Sequence, residues 1–262
     1  MERIAIISDI HGNLPALQAV LKDIEKRGVN RIVCLGDLVG KGPSSNEVVD
    51  LVKQACEAVV QGNWDLGITY PQELPEGLWQ QKLLGDERLQ YLKQLPYAID
   101  LTLSGKRIRL FHASAESVFH RLKRKASKRE RLAMFHHTPM TGTPADGKEP
   151  DIVGYGDIHI PYLLTLNNPS EKGVGASKER RGLILFNVGS VGVPYDGIPQ
   201  ASYCILEGEA DTSMQAGFAI QFVRVPYDIE QAVRFAYEAR MPGSRRYELE
   251  ITTGLVHLEE KN

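Results

Sequence analysis

Three short apolar runs near the start of the chain alternate with two segments whose apolar residues recur at helical spacing. The runs are residues 3–9, 31–37 and 58–63, and the segments between them are residues 13–28 and 45–55. Short continuous apolar runs are typical of strands that are covered on both faces. Strands that alternate with helices in this way predict right-handed βαβ units on a parallel sheet. The expected fold class is therefore α/β.

Each of these runs ends in a polar residue, and the three residues are Asp9, Asp37 and Asn63. Sites in parallel α/β sheets form beyond the carboxyl ends of the strands, so we expect these side chains on one edge of the sheet. The tripeptide Asp-Ile-His ends an apolar run twice, at residues 9–11 and 157–159. Residues i and i+2 of an extended segment point to the same side, so each tripeptide can direct a carboxylate and an imidazole to one place.

The later part of the chain predicts more strands than helices. Residues 66–95 have helical apolar spacing and no strand pattern, which indicates a helical insertion. Further strands are predicted at residues 98–105, 107–114, 151–157, 182–190, 201–208 and 217–228, and a late helix is predicted at residues 228–243. A basic segment and a loop occupy about residues 114–150. No repeat or linker divides the chain, so we expect a single domain over residues 1–262.

The composition excludes several classes of protein. A formal net charge of −2 over 262 residues argues against a surface built entirely for nucleic acid, although a local basic patch would still allow such binding. Three cysteines are too few for a disulfide framework or a zinc ribbon. No apolar run approaches the roughly 20 residues of a membrane span, and the N-terminus lacks the apolar stretch of a signal peptide. We expect a cytoplasmic protein with no membrane partner.

The polar residues expected at strand ends form a set of candidate metal ligands. They are Asp9, His11, Asp37, Asn63, His112, Asp157 and His159. Carboxylate, imidazole and amide groups together suit Mn, Fe, Zn or Ni. Seven candidates are too many for one ion and about right for two. Two divalent ions about 3.5 to 4 Å apart form the usual device for hydrolysing phosphate esters.

Five motifs in a fixed order resemble the calcineurin-like metallophosphoesterases, in particular their compact bacterial and archaeal branch. The motifs are SDIHGN, CLGDLVGKGP, QGNWD, LFHAS and GDIHIP followed by NVGSVGVP. The resemblance covers most of the chain and implies a four-layer α/β/β/α sandwich with the metals at the sheet edge. It also implies a hydrolase of phosphomonoesters or phosphodiesters, including nucleotide-type esters, in which a hydroxide held between two divalent ions attacks phosphorus.

The resemblance also implies a role for each candidate ligand. Asp9, His11 and His159 would hold the first ion, and Asp37 would bridge the two ions. Asn63 and His112 would hold the second ion. Asp37 would serve catalysis by keeping the ions at working distance, while Asn63 and His112 would flank the phosphate.

Two residues depart from the family pattern. Asp157 stands where the family usually has a histidine, and our hypothesis is that its carboxylate is a substitute ligand of the second ion. The alternatives are an acceptor that orients a histidine, or a weakened second site. Trp64 stands where many of these enzymes have a histidine that protonates the leaving group, which favours leaving groups that need little protonation. Its indole is a candidate to stack on a substrate base, or alternatively to pack under the insertion.

Residues 120–131 include seven Lys or Arg. Arg121 and Arg124 are candidates to bind substrate at the mouth of the site, and the alternative for the whole segment is a solvated helix face. The expected partner is a small phosphorylated substrate, while nucleic acid is not favoured and the oligomeric state is open. Two other functions stay open. One is a metal-binding or nucleotide-sensing scaffold with weakened catalysis, and the other is a nuclease that uses the basic segment.

Overall fold

The computed structural model of the protein describes residues 1–168, 181–210 and 212–257. Its strands are β1 (Glu2–Ile7), β2 (Arg31–Cys34), β3 (Ala58–Val59), β4 (Ala98–Leu103), β5 (Lys106–Phe111), β6 (Ile152–Tyr155), β7 (Tyr162–Asn168), β8 (Arg181–Asn187), β9 (Ala201–Gly208) and β10 (Phe218–Val225). Its helices are α1 (Leu14–Lys26), α2 (Ser45–Ala55), α3 (Asn63–Gly67), α4 (Pro75–Lys93), α5 (Lys128–Ala133), α6 (Ile229–Glu238) and α7 (Ser244–Thr253). The strands form two five-stranded sheets.

The first sheet has the strand order β10-β9-β1-β2-β3. Strands β1, β2 and β3 run parallel, as the alternation of strands and helices predicted. Strand β9 joins the other side of β1 in antiparallel orientation, and β10 pairs with β9 in the same way. Ile6 of β1 therefore has Val33 as its partner on one side and Cys204 on the other. This central position explains why β1 is apolar along nearly its whole length.

The second sheet has the strand order β4-β5-β6-β8-β7. Strands β5, β6 and β8 are parallel, and the antiparallel strands β4 and β7 close the two edges. The predicted hairpin of β4 and β5 is present. Strand β7 was not predicted. It is an edge strand with Leu163 exposed and Leu166 buried, and such mixed exposure gives a weaker sequence pattern than a buried strand does.

The two sheets pack face to face between two outer layers. Ile4 and Ile6 belong to the core between the sheets, whereas Ala5 and Ile7 belong to the core under helices α1 and α2. This alternation follows from the two-residue period of a strand. Phe111 lies on the outer face of the second sheet, where the segment around α5 covers it. The order of layers confirms the predicted four-layer α/β/β/α sandwich.

Two predicted elements differ from the structure, and one helix was not predicted. The third strand ends at Val59 instead of residue 63, and Asn63 opens α3 instead of closing a strand. The late helix ends at Glu238, well before Gly243. Gly243 has a φ of 75° and caps the start of α7, a helix that was not predicted. The sequence Met-Pro-Gly lies between α6 and α7, which pack against each other.

The basic segment and the insertion differ from each other in regularity. Within residues 120–131, only the part from Lys128 onward is helical, so the alternative of one solvated helix face for the whole segment is wrong. The segment 66–95 is helical in large part, with a break in α4 at Gly85, whose φ is 69°.

In the described parts of the chain, no helix is both long enough and apolar enough to cross a membrane. The single-domain organisation and the cytoplasmic location stay predictions.

Candidate metal centre

The candidate ligands lie on loops at the carboxyl ends of parallel strands. Asp9 and His11 follow β1, Asp37 follows β2, and His112 follows β5. Asp157 and His159 follow β6, and Asn63 is the first residue of α3. All of them are buried except Asn63, which is partly exposed. The loops of the two sheets also join each other, because the Asp157 amide donates to Asp9 Oδ2 at 3.1 Å. The structure therefore brings the seven predicted residues to one edge.

Backbone strain is concentrated at this edge. Eight described non-glycine residues have a positive φ, and six of them belong to this edge: Asp9, His11, Asp37, Lys41, Asp157 and His159. A left-handed conformation is costly for a residue with a Cβ atom and persists only where the surroundings enforce it. Such strain is typical of functional sites, where it aims side chains that regular strands would not.

Two glycines let the ligand-bearing turns approach each other. A Cβ atom on Gly62 would lie 2.2 Å from the backbone nitrogen of Asp37, and one on Gly36 would lie 2.4 Å from the nitrogen of Gly62. Both distances are below any real contact of a Cβ atom. The close approach of the Asp37 and Asn63 turns therefore requires glycine at these positions.

The first cluster consists of Asp9, His11 and His159, whose ligand atoms lie within 4.8 Å of one another. His11 Nδ1 is 3.0 Å from the carbonyl of Val39, and His159 Nδ1 is 2.5 Å from the carbonyl of Val193. Because carbonyl oxygens only accept, both Nδ1 atoms carry the proton and both Nε2 atoms of the neutral rings offer lone pairs.

These lone pairs face each other. The two Nε2 atoms are 3.2 Å apart, and His159 Nε2 is also 3.2 Å from Asp9 Oδ1. Asp9 Oδ1 is buried and has no hydrogen-bond donor among the described residues. Buried acceptors in mutual contact are unfavourable unless a cation lies between them. The donor set, two imidazoles and a carboxylate, fits a transition-metal ion.

The second cluster consists of Asp9, Asp37 and His112, with Asn63 beside it. His112 Nδ1 donates to the Leu35 carbonyl at 2.8 Å, so its Nε2 faces Asn63 Oδ1 at 2.9 Å and Asp37 Oδ1 at 3.4 Å. Burial alone would lower the pKa of His112, but the carboxylates of Asp37, Asp9 and Asp157 outweigh it and raise the pKa to about 10. This position therefore attracts positive charge.

Asp37 belongs to the second cluster and also faces the first. Its Oδ1 faces His112 Nε2, and its Oδ2 is 3.5 Å from His11 Nε2. Burial raises the pKa of Asp37, and the neighbouring charge of Asp9 adds to this shift. A carboxylate with one oxygen toward each cluster has the geometry that a bridging ligand needs.

Asp157 is held by an arginine. Arg121 Nε and a terminal guanidinium nitrogen donate to the two carboxylate oxygens at 2.9 and 2.8 Å. The Oδ1 atom is also 3.9 Å from His112 Nε2, so the side chain lies at the margin of the second cluster. Arg121 thus belongs to the site edge, and Arg124 lines the same cavity of about 510 Å³, here called the basic cavity.

Trp64 lies at the mouth of the site with 38% of its surface exposed. Its ring meets the His11 imidazole edge-on at 5.6 Å, and its amide donates to Asp37 Oδ1 at 2.8 Å. Lys41 Nζ lies 5.4 Å from the centre of the indole. The indole therefore borders the candidate ligands. Because it is partly exposed, a substrate can contact it.

Several residues that contact the candidate ligands or their turns were not predicted from the sequence. Tyr195 stacks on His159 at 4.6 Å between ring centres, receives a hydrogen bond from Lys41 and donates to Glu250. Asp65 accepts hydrogen bonds from the amides of Asp37, Leu38 and Gly62 and so fixes the Asp37 turn. Asp65 follows Asn63 within the motif QGNWD, which was the only available signal for it.

Comparisons with known proteins agree with this geometry. The family model of the calcineurin-like phosphoesterase superfamily domain matches residues 2–211. The uncharacterized protein MJ0912 of Methanocaldococcus jannaschii is 33% identical over 256 residues, which cover 91% of this chain and 93% of that protein. Phosphodiesterase YfcE of Escherichia coli K12 is 26% identical over 225 residues, which cover 80% of this chain and 89% of that protein.

The same relationship holds for a solved structure. The crystal structure of a metallophosphoesterase from Sphaerobacter thermophilus aligns with a TM-score of 0.71 at 28% identity and covers 97% of this chain and 100% of that one. The matched family model extends over most of the chain, including all of the candidate ligands. The resemblance found in the motifs is thereby confirmed, and the chain belongs to the calcineurin-like phosphoesterase superfamily.

Proposed function

We propose that the protein hydrolyses phosphomonoesters or phosphodiesters with the help of two divalent metal ions. The observation that carries this proposal is the arrangement of acceptors. The Nε2 atoms of His11 and His159 face each other and a carboxylate oxygen of Asp9, with no donor among them. A similar set surrounds Nε2 of His112. Two adjacent sets of buried acceptors, with Asp37 facing both, can each be satisfied by a cation, which supports a pair of ions.

The chain's own residues have distinct tasks in this proposal. Asp9, His11 and His159 would hold one ion, Asn63 and His112 would hold the other, and Asp37 would be shared by both. Divalent ions at these positions would lower the pKa of a bound water and offset the charge that develops on the phosphoryl oxygens. The mixed nitrogen and oxygen donors favour a class of metal ions, which includes Mn, Fe, Ni and Zn, and do not select one member of it.

Charged side chains around the centre favour an anionic substrate. Lys41 is largely buried beside Trp64 and Tyr195, and burial lowers the pKa of its ammonium group. Arg121 and Arg124 line the basic cavity together with Lys41. These positive charges border the candidate ligands and favour the binding of a phosphate group from solution.

Asp157 is proposed as a ligand of the second ion, with Arg121 as the group that holds it in place. An ionised carboxylate offers about four lone-pair sites, so two hydrogen bonds from Arg121 leave one lone pair on each oxygen. Trp64 cannot protonate a leaving group, so the enzyme is expected to prefer substrates whose leaving groups need little protonation, such as nucleotide phosphates or aryl phosphates.

Hydrolysis of p-nitrophenyl phosphate and bis-p-nitrophenyl phosphate tests the proposal. EDTA should abolish the activity and Mn²⁺ should restore it. Asp37→Ala should lower kcat by at least about 10³-fold, because the bridging oxygens are lost. Asp50→Ala is a matched control, since Asp50 is paired with Arg88 on the surface and should leave kcat unchanged. Activity that resists the chelator would contradict the proposal, and metal binding without any turnover would instead indicate the scaffold function.

A further inference from the structure

A second cavity, of about 370 Å³, adjoins the candidate metal centre and differs from the basic cavity in character. It is called the apolar cavity here. Its walls come from α3 and α4 on one side and from α7 and the residues before it on the other. The apolar lining residues include Trp64, Ile68, Leu74, Trp79, Met241 and Tyr247. A concave, mostly apolar cavity of this size is typical of a small-molecule site.

The apolar cavity is continuous with the proposed catalytic centre. Asn63, a candidate ligand of the second ion, lines it. Lys41, Trp64 and Arg246 line both the apolar and the basic cavity. A phosphate group at the candidate ligands would therefore have one cavity of positive charge and one of apolar surface on its two sides.

Each positive charge named in the apolar wall has a carboxylate partner. Arg246 donates to Glu250 at 3.1 Å, and Lys41 lies 3.5 Å from the same carboxylate. Burial alone would raise the pKa of Glu250, but the charges of Lys41 and Arg246 outweigh it and lower the pKa, so Glu250 is ionised. A neutral ring can therefore occupy the cavity without leaving an unpaired charge against it.

The wall has features that the family match does not account for. Residues 241–250 lie beyond the matched residues 2–211. Trp79 of α4 packs on the core that α6 and α7 form, so the insertion and the last helices close the cavity together. Gln80 is 5% exposed, and its side-chain oxygen has no partner among the described residues, while its nitrogen donates to the Gly42 carbonyl at 3.0 Å.

We propose that the apolar cavity binds an aromatic ring carried by the ester group of the substrate, with the phosphate placed at the candidate metal ligands. This inference rests on the proposed phosphoesterase function and names its substrate class. The indoles of Trp64 and Trp79 supply aromatic surface, and rings in contact with aromatic side chains gain more than their buried area alone provides. An aryl ester and a nucleotide base share this chemistry, and the experiment below distinguishes them.

Tryptophan fluorescence measures binding without any hydrolysis. The chain has two tryptophans, and both line the apolar cavity. In metal-loaded protein, p-nitrobenzylphosphonate represents an aryl ester, the non-hydrolysable phosphonate analogue of AMP represents a nucleotide and methylphosphonate lacks a ring. We expect saturable quenching by at least one of the two aromatic probes and none by methylphosphonate. The probe with the lower Kd identifies the source of the ring. Absence of saturable quenching by both aromatic probes would overturn the inference, whatever the result of the hydrolysis assays.

A variant that fills the cavity gives the second readout. A Cβ atom on Gly67, which lines the cavity, would meet no atom within 4 Å, so the first atom of the leucine side chain in Gly67→Leu causes no clash. Gly217→Leu is the control, because Gly217 also has open space and lies outside the cavity. Gly67→Leu should raise the Kd of the aromatic probe by about 10-fold, equivalent to about 1.4 kcal/mol, while the control leaves it unchanged. An unchanged Kd in folded Gly67→Leu would overturn the inference.

A second pair of variants applies if Gly67→Leu does not fold. Leu74, the residue before α4, lines the cavity and is 70% exposed, whereas Leu78 of α4 is 50% exposed and lies outside the lining. Leu74→Ser should lower the ratio of kcat/KM for bis-p-nitrophenyl phosphate to kcat/KM for methyl p-nitrophenyl phosphate by about 3-fold or more. Leu78→Ser should leave the ratio unchanged. Both esters release the same leaving group, so the ratio reports the second ring, and equal ratios in the two variants would overturn the inference.

Discussion

The imidazoles of His11 and His159 place two hydrogen-bond acceptors against each other. Each ring donates a hydrogen bond from Nδ1 to a backbone carbonyl, and the two Nε2 atoms are 3.2 Å apart. A proton or a metal ion between them resolves the conflict. The same reasoning applies at His112, where the neighbouring oxygens also only accept. The chemistry of these few atoms therefore determines what the site can bind.

Asp157 provides a test of the second site. Asp157→Ala should reduce the metal content of purified protein from about two equivalents to about one, because the second ion loses a carboxylate. Arg121→Ala should retain both ions, since Arg121 only orients that carboxylate. Metal content measured by mass spectrometry decides the question. Two equivalents with unchanged affinity in Asp157→Ala would contradict the assignment of a ligand.

The candidate ligands and the residues around them differ in how far sequence could predict them. Asp9 and Asp37 follow recognisable strands, so strand direction alone places them on one edge. Tyr195 and Glu250 reach Lys41 from loops and helices far along the chain, and no local pattern records that contact. Asp65 accepts hydrogen bonds from backbone amides, and every residue except proline has such an amide, so the residue types of its partners do not reveal the contact.

The turns that carry the ligands depend on two glycines in contact. In Gly62→Ala, the new Cβ would meet the Asp37 amide at 2.2 Å, so the turns of Asp37 and Asn63 must separate. We expect a loss of about 1–3 kcal/mol in the free energy of unfolding, measured by urea denaturation, and weaker metal binding. Gly182→Ala is the control. It has open space around its Cβ and should change the free energy of unfolding by less than about 0.5 kcal/mol. Equal effects of the two variants would contradict the close-approach argument.

The secondary-structure elements that were predicted correctly share a simple property. Strands β1 and β2 are buried on both faces, and α1 has a polar and an apolar side, so local pattern and tertiary position agree. The missed elements lack that agreement. Strand β7 is an edge strand, and α7 has few apolar residues and is defined mainly by its packing on α6.

The metal-free protein should become less stable as the pH rises, because of two titratable groups in the buried site. The pKa of His112 is raised to about 10, and burial together with Asp37 raises the pKa of Asp65 to about 7. A histidine with a raised pKa stabilises the fold fully below about pH 6.5, and this contribution is lost as the pH rises toward 10. Deprotonation of Asp65 acts in the same direction, because a carboxyl group with a raised pKa is less costly when protonated.

The Tm of EDTA-treated protein should therefore fall by about 5 °C or more between pH 6.5 and 9. His112→Gln should flatten this slope, whereas His120→Gln is a control on an exposed ring. Saturating Mn²⁺ should remove most of the slope, because metal ions replace the protons that the site otherwise holds. A Tm that rises over this interval in metal-free protein would contradict the charge distribution described here. Differential scanning calorimetry provides the measurement.

The protein as a whole joins two sheets so that one buried edge collects acceptors from both. A crystal structure of the protein soaked with Mn²⁺, with anomalous diffraction measured, would locate the ions directly. We predict two anomalous peaks about 3.5–4 Å apart. One peak should contact Asp9, His11 and His159, the other should contact Asn63 and His112, and Asp37 should lie between them. The absence of any peak at this edge would contradict the proposal of a two-metal phosphoesterase. A single fully occupied Mn²⁺ position would contradict it as well.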